Sequence, residues 1–457
     1  MSYILRYRLR AFLRSSMCAT PIACSVAAIL VAPLIRFIDE RTQWTLLGFG
    51  PEGARAVVGT FAASLLTFIV FAFSIILLAV QIASGQLTPR IIARVLEGRL
   101  TKVTLGAFLF SYAYTLAALG RIEDRVPQLP LMVAYLSSLV SVLLFLYLIQ
   151  QTGSSLRAGV ILAGVAADTN AVIRSIYPNP FLPLKGEDLR PGYRSMRVKH
   201  TIIYTGRSGT LVAIDAATLV TIAERAGCTI ELVPQVGDFL GTGDDLFRLR
   251  AEGAALLDHS QLVHDDRLRR CIALGTEQTL ERHPAFGFRI LVEIGVRALA
   301  PPGDPTTGVL AIDQIHHLLL LLSQRQLDAG AVQDSSGHVR LIYRTLSWED
   351  FVALSVTELR LYGCTSPQVT RRLQAMFEHL VQVVPAERAA ILRSEMGLLR
   401  RAVDRSFTDS EDRILAGVGD LQGFGSATCL HPFARSSGKD LTGDQGRTQM
   451  HVARRLD

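Results

Sequence analysis

The chain has 457 residues, room for two or three domains, and 49% of them are hydrophobic while only 19% are charged. Its mean hydropathy of +0.32 is unusual for a wholly soluble protein. The net charge of +7 comes without clustered basic and aromatic residues, so it does not indicate a nucleic-acid-binding protein. The six cysteines are scattered and include no C-x-x-C pair, which indicates neither a zinc site nor a disulfide framework.

The first third of the chain holds most of the apolar sequence, in four stretches with almost no charge. A bilayer core of about 30 Å needs roughly 20 apolar helical residues, so each stretch is long enough to span it. Helices are expected because the backbone groups of a segment in lipid must be satisfied within that segment. The sequence predicts an α-helical membrane bundle of four transmembrane helices, with a cytoplasmic α+β region. The spans fall at about residues 17–38, 56–84, 103–120 and 128–150 of a transmembrane domain 1–157.

The basic residues predict the orientation of this bundle. Residues 6–14 and 90–102 are rich in arginine, whereas the two other links mix arginine with acidic residues. Because cytoplasmic links carry an excess of Lys and Arg, the first two segments are expected in the cytoplasm. The first apolar stretch is long and a second span follows closely, which favours an uncleaved anchor over a signal peptide. We predict a multi-pass protein of the bacterial inner membrane, with its N- and C-termini cytoplasmic.

A polar stripe runs along the second span. Thr60, Thr67, Ser74 and Gln81 recur at every seventh position of a charge-free stretch, and Ser64 joins them. Seven residues leave a drift of only about 20° per step on a helix, so these side chains form one slowly winding line. One interpretation is helix packing through small and hydroxyl residues. The other is a wetted pathway, in which copies of this helix surround a symmetry axis and the stripe lines a pore.

The remaining sequence predicts several cytoplasmic segments. A helical linker is expected over residues 158–198, a small β-rich domain over 199–252, a mainly helical domain over 253–406 and a disordered tail over 407–457. The phrase VGDFLGTGDDLFRL is similar to the closing hairpin of biotinyl-lipoyl-like barrels. That family attaches its cofactor to a lysine, and none occurs between residues 201 and 250, so no cofactor is expected.

A helix-loop motif stands out within residues 276–327. Arg289, Glu293 and Arg297 are spaced i, i+4, i+8 on one side of a predicted helix, which is typical of solvated salt bridges. The segment PPGDPTTG breaks this helix and predicts Asp304 as the N-cap of the next one, with proline in its first position. The residues singled out as a candidate cytoplasmic site are Arg289, Glu293, Arg297, Asp304, Thr306 and Asp313.

Metal-binding and catalytic signals are weak. The segment LDHSQLVHDD has the best metal-like composition, but its two histidines, His259 and His264, are five residues apart, which suits one helix face poorly. His316 and His317 adjoin Asp313, yet neighbouring helical residues point about 100° apart. No G-x-S-x-G, kinase or dinucleotide fingerprint occurs. The sequence therefore predicts no catalytic residue and no metal site.

Three separated motifs resemble a known family. ASGQLTPRIIARVLEGRLTKVTLGAFLFSYAYTLAAL, GTLVAID…VGDFLGTGDDL and TLERHPAFGFRILVEIGVRALAPPGDPTTGVLAIDQI together are similar to bacterial predicted membrane proteins of domain of unknown function 2254. The family pattern R-A-L-S-P-G-x-N-D-P stands here as RALAPPGDP, one residue shorter and without the asparagine. The resemblance implies an N-terminal membrane bundle with a cytoplasmic C-terminal region, and no established reaction.

The function predicted from these features is channel-like permeation of an ion or solute by a homo-oligomer with a cytoplasmic regulatory region. The spans contain no ionisable group apart from Arg36 at the exit of the first, which disfavours a proton relay or charge-coupled transporter. The expected partners are the lipid bilayer, further copies of the chain and an ion or small ligand, but no nucleic acid. The alternative is a membrane-anchored sensor or scaffold whose cytoplasmic domain binds a ligand or protein.

Overall fold

The computed structural model describes residues 19–42, 50–86, 98–122, 126–155, 157–182, 196–251, 265–275, 283–301, 303–328 and 330–423. The longer helices are α1 (Ala19–Thr42), α2 (Pro51–Gln86), α3 (Arg99–Leu119), α4 (Gln128–Ser155), α5 (Ala158–Ile176), α8 (Pro284–Leu299), α9 (Pro305–Ser323), α10 (Trp348–Gly363), α11 (Pro367–Val383) and α12 (Ala389–Ser406). The shorter helices are α6 (Ala216–Arg225), α7 (Asp265–Arg269) and α13 (Ser410–Gly417). The strands are β1 (Arg197–Ile203), β2 (Gly209–Ile214), β3 (Thr229–Leu232), β4 (Phe239–Leu240), β5 (Asp245–Ala251), β6 (Ile272–Gly275), β7 (Ala331–Gln333) and β8 (Val339–Ile342).

Helices α1 to α4 form a bundle, in which α3 packs against each of the other three. The prediction that these apolar stretches are helical is confirmed. The core of the bundle includes aromatic pairs, such as Phe108 with Phe145 at 6.0 Å between ring centroids. Helix α2 is 36 residues long, about 54 Å at 1.5 Å per residue, which exceeds the hydrocarbon thickness.

Two contacts fix which helix ends lie together. Asp39, near the end of α1, accepts a hydrogen bond of 2.8 Å from the backbone N–H of Leu129 at the start of α4. Arg55, near the start of α2, donates through Nε to the carbonyl oxygen of Ile122 beyond α3, at 2.9 Å. The end of α1, the start of α2, the end of α3 and the start of α4 therefore share one end of the bundle. The four helices alternate in direction.

Helix α5 belongs to a second core, formed with α8 to α12. It packs against α8 and α9, and it buries Ile161, Leu162 and Ile173 in the same cluster as Ile315 of α9. A helical linker is expected from the sequence over residues 158–198; helix α5, within that range, contributes one side of the helical core, because its apolar face is covered by two neighbouring helices.

Six of the described helices are long and apolar enough to cross a membrane, namely α1 to α5 and α9. The chain is thus a helical protein with several candidate spans and a mixed α/β region. Length and composition alone do not single out the four spans expected from the sequence, because buried core helices meet the same criteria as lipid-facing ones.

The strands form two sheets, ordered β1-β5-β3-β8-β7 and β4-β2-β6. Over residues 197–251 the elements follow in the order β1, β2, α6, β3, β4 and β5, with Gly227 closing α6 at φ 63. Strand β4 pairs with β2, whereas β5 pairs with β1 and β3, so the glycine-rich segment between them joins two sheets. Strands β6 to β8, outside the expected range 199–252, complete both sheets, and β8 runs parallel to β3.

Disorder was expected beyond Ser406, and the structure differs up to residue 423. Asp409 caps α13 by accepting from the backbone N–H of Glu411 at 2.8 Å. After α13, the backbone N–H of Asp420 donates to the carbonyl oxygen of Arg371 at 3.1 Å. The segment is polar in composition, but backbone and arginine contacts with α11 hold it. The rest of the expected tail, residues 424–457, lies outside the described residues.

The chain passes between the helical core and the sheets four times, from α5 to β1, from β6 to α8, from α9 to β7 and from β8 to α10. Helices α8 and α9 are joined by a short loop and packed together, so they are antiparallel. The start of α8 and the end of α9 consequently lie at the same end of the core, which we call the sheet-side pole. The other end holds Ala300, at the end of α8, and Asp304, at the start of α9.

Candidate functional site

The polar stripe of α2 lies on the side of the helix that its own chain leaves uncovered. All five of its residues are exposed, namely Thr60, Ser64, Thr67, Ser74 and Gln81. The buried side carries mostly small and aliphatic residues, among them Leu65 at 2% and Ile76 at 5% exposure. Leu65 and Ser74 are nine residues apart, which places them about 180° apart around a helix. The stripe is opposite the face that packs in the bundle.

Three hydroxyls of the stripe donate to their own helix. Thr60 bonds to the carbonyl oxygen of Ala56 at 2.8 Å, and Ser74 to that of Val70 at 2.9 Å. Thr67 makes the same bond to residue 63 at 3.1 Å. Each hydroxyl proton is thereby used, and the lone pairs of the oxygen remain available to accept. The described part of the stripe therefore presents mainly acceptor oxygens.

Polar packing inside the bundle uses other residues. Ser111 of α3 and Ser141 of α4 are buried, and their hydroxyl oxygens lie 2.8 Å apart. Thr115 is also buried and donates to the carbonyl oxygen of Ser111 at 2.6 Å. Sequence reasoning did not single these residues out, because isolated serines in two spans give no sign that they face each other. The interhelical role considered for the stripe is filled here, within one chain, by α3 and α4.

The first half of the helix-loop motif forms ion pairs. Arg289 donates to Glu293 at 3.0 Å along α8 and to Glu358 of α10 at 2.5 Å. Arg297 is exposed in the last turn of α8, where a cation interacts favourably with the helix dipole. The three residues therefore do not converge on one point. The geometry resembles the solvated salt bridging expected from their spacing.

The loop of the motif caps α9. Asp304 accepts from the backbone N–H groups of Thr306 at 3.1 Å and Thr307 at 3.2 Å, and Pro305 stands in the first turn. The predicted N-cap is confirmed. Thr306 itself is exposed, so in the described structure it contributes its backbone to the cap.

The last residue of the motif, Asp313, begins a chain of polar contacts between α9 and α11. Its Oδ1 accepts from Arg372 Nε at 2.6 Å, and Arg372 Nη2 lies 3.0 Å from His316 Nδ1. His316 Nε2 lies 2.8 Å from His379 Nδ1. Because arginine only donates, His316 Nδ1 accepts, and the neutral ring carries its proton on Nε2 and donates it to His379. The motif thus leads into a relay that the sequence did not reveal.

Burial holds His316 neutral. Desolvation, followed by the charge of Arg372, lowers the pKa of His316 to about 4. A second proton would have to sit on Nδ1, the atom that accepts from Arg372, and would break that bond. His317 points elsewhere and meets Asn170 of α5 at 3.3 Å, as expected for adjacent residues of a helix.

This arrangement predicts a pH-dependent stability. The pKa of His316 in the folded protein, about 4, lies below the ordinary histidine pKa of 6.5, so between these values the unfolded chain binds more protons. The unfolding free energy should fall as the pH is lowered through this window, by up to about 1.4 kcal/mol per pH unit from this residue. Urea unfolding of the detergent-solubilised protein from pH 7 to pH 4.5 should show a shallower fall for His316→Gln than for the wild type.

The matched control is His317→Gln, which makes the same substitution on the exposed side of α9. It is expected to keep the slope of the wild type. Equal slopes for wild type and His316→Gln would contradict the assignment of a neutral, arginine-facing His316.

The metal-like segment gives no site among the described residues. His259 and His264 lie outside them. Asp265 and Asp266 pair with Arg269, at 3.5 and 2.9 Å. No group of three or more His, Cys, Asp or Glu residues that could hold a metal ion occurs in the part of the chain that the structure describes.

The sheets present an open cleft of about 470 Å³ at the glycine-rich segment. It is lined by the apolar residues Val233, Pro234, Phe239 and Leu240 and by the charged residues Asp238, Asp244, Asp245 and Arg344. Phe239 is 70% exposed at its edge. One carboxylate oxygen of Asp244, Oδ2, accepts a hydrogen bond from the backbone N–H of Gly241 at 2.7 Å.

A family model described as Predicted membrane protein (DUF2254) matches residues 14–379. The chain belongs to this family. The matched region includes the bundle, the stripe, both sheets and the relay from Asp313 to His379, so all of these lie within the family's shared sequence. Helices α12 and α13 lie beyond it.

Similar proteins occur in mycobacteria. Uncharacterised proteins of Mycobacterium bovis and Mycobacterium tuberculosis are each 27% identical over 378 residues, covering 80% of this chain and 71% of theirs. No solved structure matches the chain. The family membership establishes a predicted membrane protein and supplies no reaction.

Proposed function

We propose that this protein is a homo-oligomeric, channel-like membrane protein in which α2 of each copy faces the others and the helical core with its sheets regulates permeation. The observation that carries the proposal is the position of the α2 stripe. A face bearing Thr60, Thr67, Ser74 and Gln81 is opposite the face used for packing in its own chain, so it is free to meet copies of itself or water.

Four spans, α1 to α4, suit this proposal better than six. Helices α5 and α9 share one apolar core with α8 and α10 to α12. In α9, Ile312, Ile315 and Leu319 are fully buried, and Asp313 pairs with an arginine of α11. A helix enclosed by amphipathic, arginine-bearing neighbours has no lipid-facing side long enough to span.

Gln81 adds to the argument for a wet or protein-covered stripe. Hydroxyls are tolerated against lipid when they bond to their own helix, as Thr60 and Ser74 do. An amide has two donors and an acceptor oxygen, and a single bond within its own helix does not satisfy them. An exposed glutamine following three hydroxyls therefore favours water or a second copy over acyl chains. A lining of acceptor oxygens suits cations more than anions.

The proposed placement is the bacterial inner membrane with both termini in the cytoplasm. The alternating direction of α1 to α4 brings the ends of α1 and α3 to the outer side and those of α2 and α4 to the inner side. The arginine-rich segment 6–14 precedes α1. The second, residues 90–102, leads from α2 into the first turn of α3. Both positions support that orientation, because cytoplasmic links carry an excess of Lys and Arg.

The test is ion flux through liposomes that contain the purified protein. Wild type is expected to conduct, and Ser74→Leu and Thr67→Leu are expected to reduce flux by about tenfold, because each replaces an acceptor oxygen with a branched alkyl group. Ser74→Thr and Thr67→Ser are the matched controls; they keep the hydroxyl and should retain most of the flux. Absence of conductance, or leucine variants that conduct like the wild type, would reject the channel.

The second candidate is a membrane-anchored sensor or scaffold, which the open cleft of the sheets favours. Exposed Phe239 beside Asp238 and Arg344 offers an apolar and charged surface for a ligand or protein. In that case the protein would not conduct ions. Ser74→Leu would leave the binding of the ligand or protein intact, and Phe239→Asp would abolish that binding.

A further inference from the structure

The pole of the helical core opposite the sheets is defined by a set of close contacts at glycines. A Cβ placed on Gly308, in the first turn of α9, would lie 2.8 Å from Leu299 at the end of α8. The same leucine lies 3.3 Å from a Cβ placed on Gly363, the last residue of α10. The start of α9 and the ends of α8 and α10 are therefore at one level.

Two further segments reach this level. A Cβ on Gly159, the second residue of α5, would lie 3.7 Å from Leu310. A Cβ on Gly423 would lie 2.5 Å from Val309. Since Gly308, Val309 and Leu310 are consecutive, the start of α5 and the end of the described chain stand within about one helical turn of the same plane.

Large apolar side chains are exposed at this plane. They are Val160 at 52%, Leu361 at 56%, Tyr362 at 56% and Leu421 at 73%. Each lies within two residues of one of the glycines that mark the plane. We call these four residues the apolar rim. Scattered exposed apolar residues need no explanation, but four on one end of a domain are a candidate contact surface.

The end of α4 identifies what this rim faces. Helix α4 ends at Ser155 and α5 begins at Ala158, so a link of two residues joins the bundle to the pole that carries the rim. All four links to the sheets leave from the opposite pole. The rim is thus tethered at the bilayer surface, and the sheets are held away from it.

The chemistry of the pole suits the boundary between headgroups and acyl chains. Leucine and valine supply apolar area, and tyrosine has an apolar body with a polar tip, as is common at membrane interfaces. Arg157 and Arg297 are exposed at the same pole and suit lipid phosphates. The carboxylate of Asp304 is occupied by the backbone N–H groups of α9.

We propose that the apolar rim inserts into the lipid surface on the side of the bilayer where α4 ends, so that the helical core rests on the membrane as well as being tethered to it. The occupant is the headgroup and upper acyl layer of the same bilayer. The inference rests on α4 crossing the membrane, as proposed above, and it does not depend on conduction.

The experiment places a tryptophan in the rim of the full-length protein. Tyr362→Trp is combined with Trp44→Phe, leaving Trp348, which is 4% exposed, as the native background. The protein is reconstituted into phosphatidylcholine vesicles with or without brominated acyl chains. Fluorescence of the introduced indole is expected to be about twofold lower in brominated vesicles and to resist aqueous iodide.

Two controls separate the possible results. Val383→Trp sits at the far end of α11, at a site 48% exposed, and should respond to iodide but not to bromine. Leu143→Trp, at a site 56% exposed on α4, should respond to bromine if α4 spans. Quenching by bromine at position 143 but not at 362 would overturn the proposal that the apolar rim inserts into lipid, and would leave the proposal that α4 spans the membrane intact. No quenching at 143 overturns the placement of α4, and with it both proposals. Protection of position 362 from both quenchers means a protein partner and overturns the lipid assignment.

Discussion

Arg388→Ala is expected to lower the unfolding free energy of the helical core by about 3 to 5 kcal/mol. The buried guanidinium donates to the carbonyl oxygens of Leu322 at 2.9 Å, Ser323 at 2.8 Å and Arg325 at 3.0 Å. These acceptors lie at the end of α9, where a cation is also favoured by the helix dipole. The Leu322 oxygen also accepts from the backbone N–H of Arg325 at 3.0 Å. Alanine would remove all three side-chain hydrogen bonds from these carbonyl groups.

Two aromatic side chains hold Arg388 in place. Its guanidinium lies 4.2 Å from the ring centroid of Phe181 and 5.4 Å from that of Trp348. The indole N–H of Trp348 donates to the carbonyl oxygen of Arg388 at 2.9 Å, so backbone and side chain are both fixed. Burial lowers the pKa of Arg388, but arginine starts so high that the group stays charged at neutral pH.

Thermal unfolding in detergent, followed by near-UV circular dichroism, measures this effect. Arg388→Lys should lower the unfolding midpoint less than Arg388→Ala does, because an ammonium keeps the charge. It should still lower the midpoint, because an ammonium cannot reach three carbonyl groups or stack on the rings. Arg393→Ala, an exposed arginine one turn further along, is the matched control and should change the midpoint little. A midpoint for Arg388→Ala equal to that of Arg393→Ala would contradict the capping role.

The second large effect is expected at Arg360 and Glu395, which pair across α10 and α12 at 3.4 Å with side chains only 8% and 9% exposed. Neither Arg360 Nε nor Glu395 Oε2 has a hydrogen-bond partner among the described residues, so the pair is poorly compensated for its burial. Removing one partner leaves the other charged side chain buried without its ion-pair partner. Glu395→Leu or Arg360→Met alone should each cost about 3 to 5 kcal/mol.

The double variant Arg360→Met with Glu395→Leu should regain most of the lost unfolding free energy, or be more stable than the wild type, because no buried charge remains. The three variants together form a double-mutant cycle, measured by the same thermal unfolding. Losses that simply add in the double variant would show that the two side chains do not interact. Arg289→Met is the control, since its partners Glu293 and Glu358 are partly exposed and its loss should be small.

Local patterns predicted the parts of this protein that local forces determine. Charge-free stretches of about 20 residues identified the helices of the bundle, and the sequence PPGDPTTG identified the cap at Asp304.

Features that join distant segments were not predictable in this way. Nothing in PAERAA distinguishes Arg388 from a solvated arginine, because its acceptors lie 63 to 66 residues earlier in the chain. The partner of Asp313 is likewise 59 residues away, in α11. Strand β8 pairs with β3 across the whole of α8 and α9, so no local alternation reveals the parallel contact. The stripe as a pore lining and the helix-loop motif as a binding site stay predictions.

The four chain passages between the helical core and the sheets limit how these two parts can move. A single passage would allow the sheets to swing about one hinge. Here α5, α8, α9 and α10 are each joined to a strand at the same pole, so bending at any one junction strains the other three. A displacement of the sheets should turn the whole core as a rigid body, and α5 would carry that rotation directly to the C-terminal end of α4.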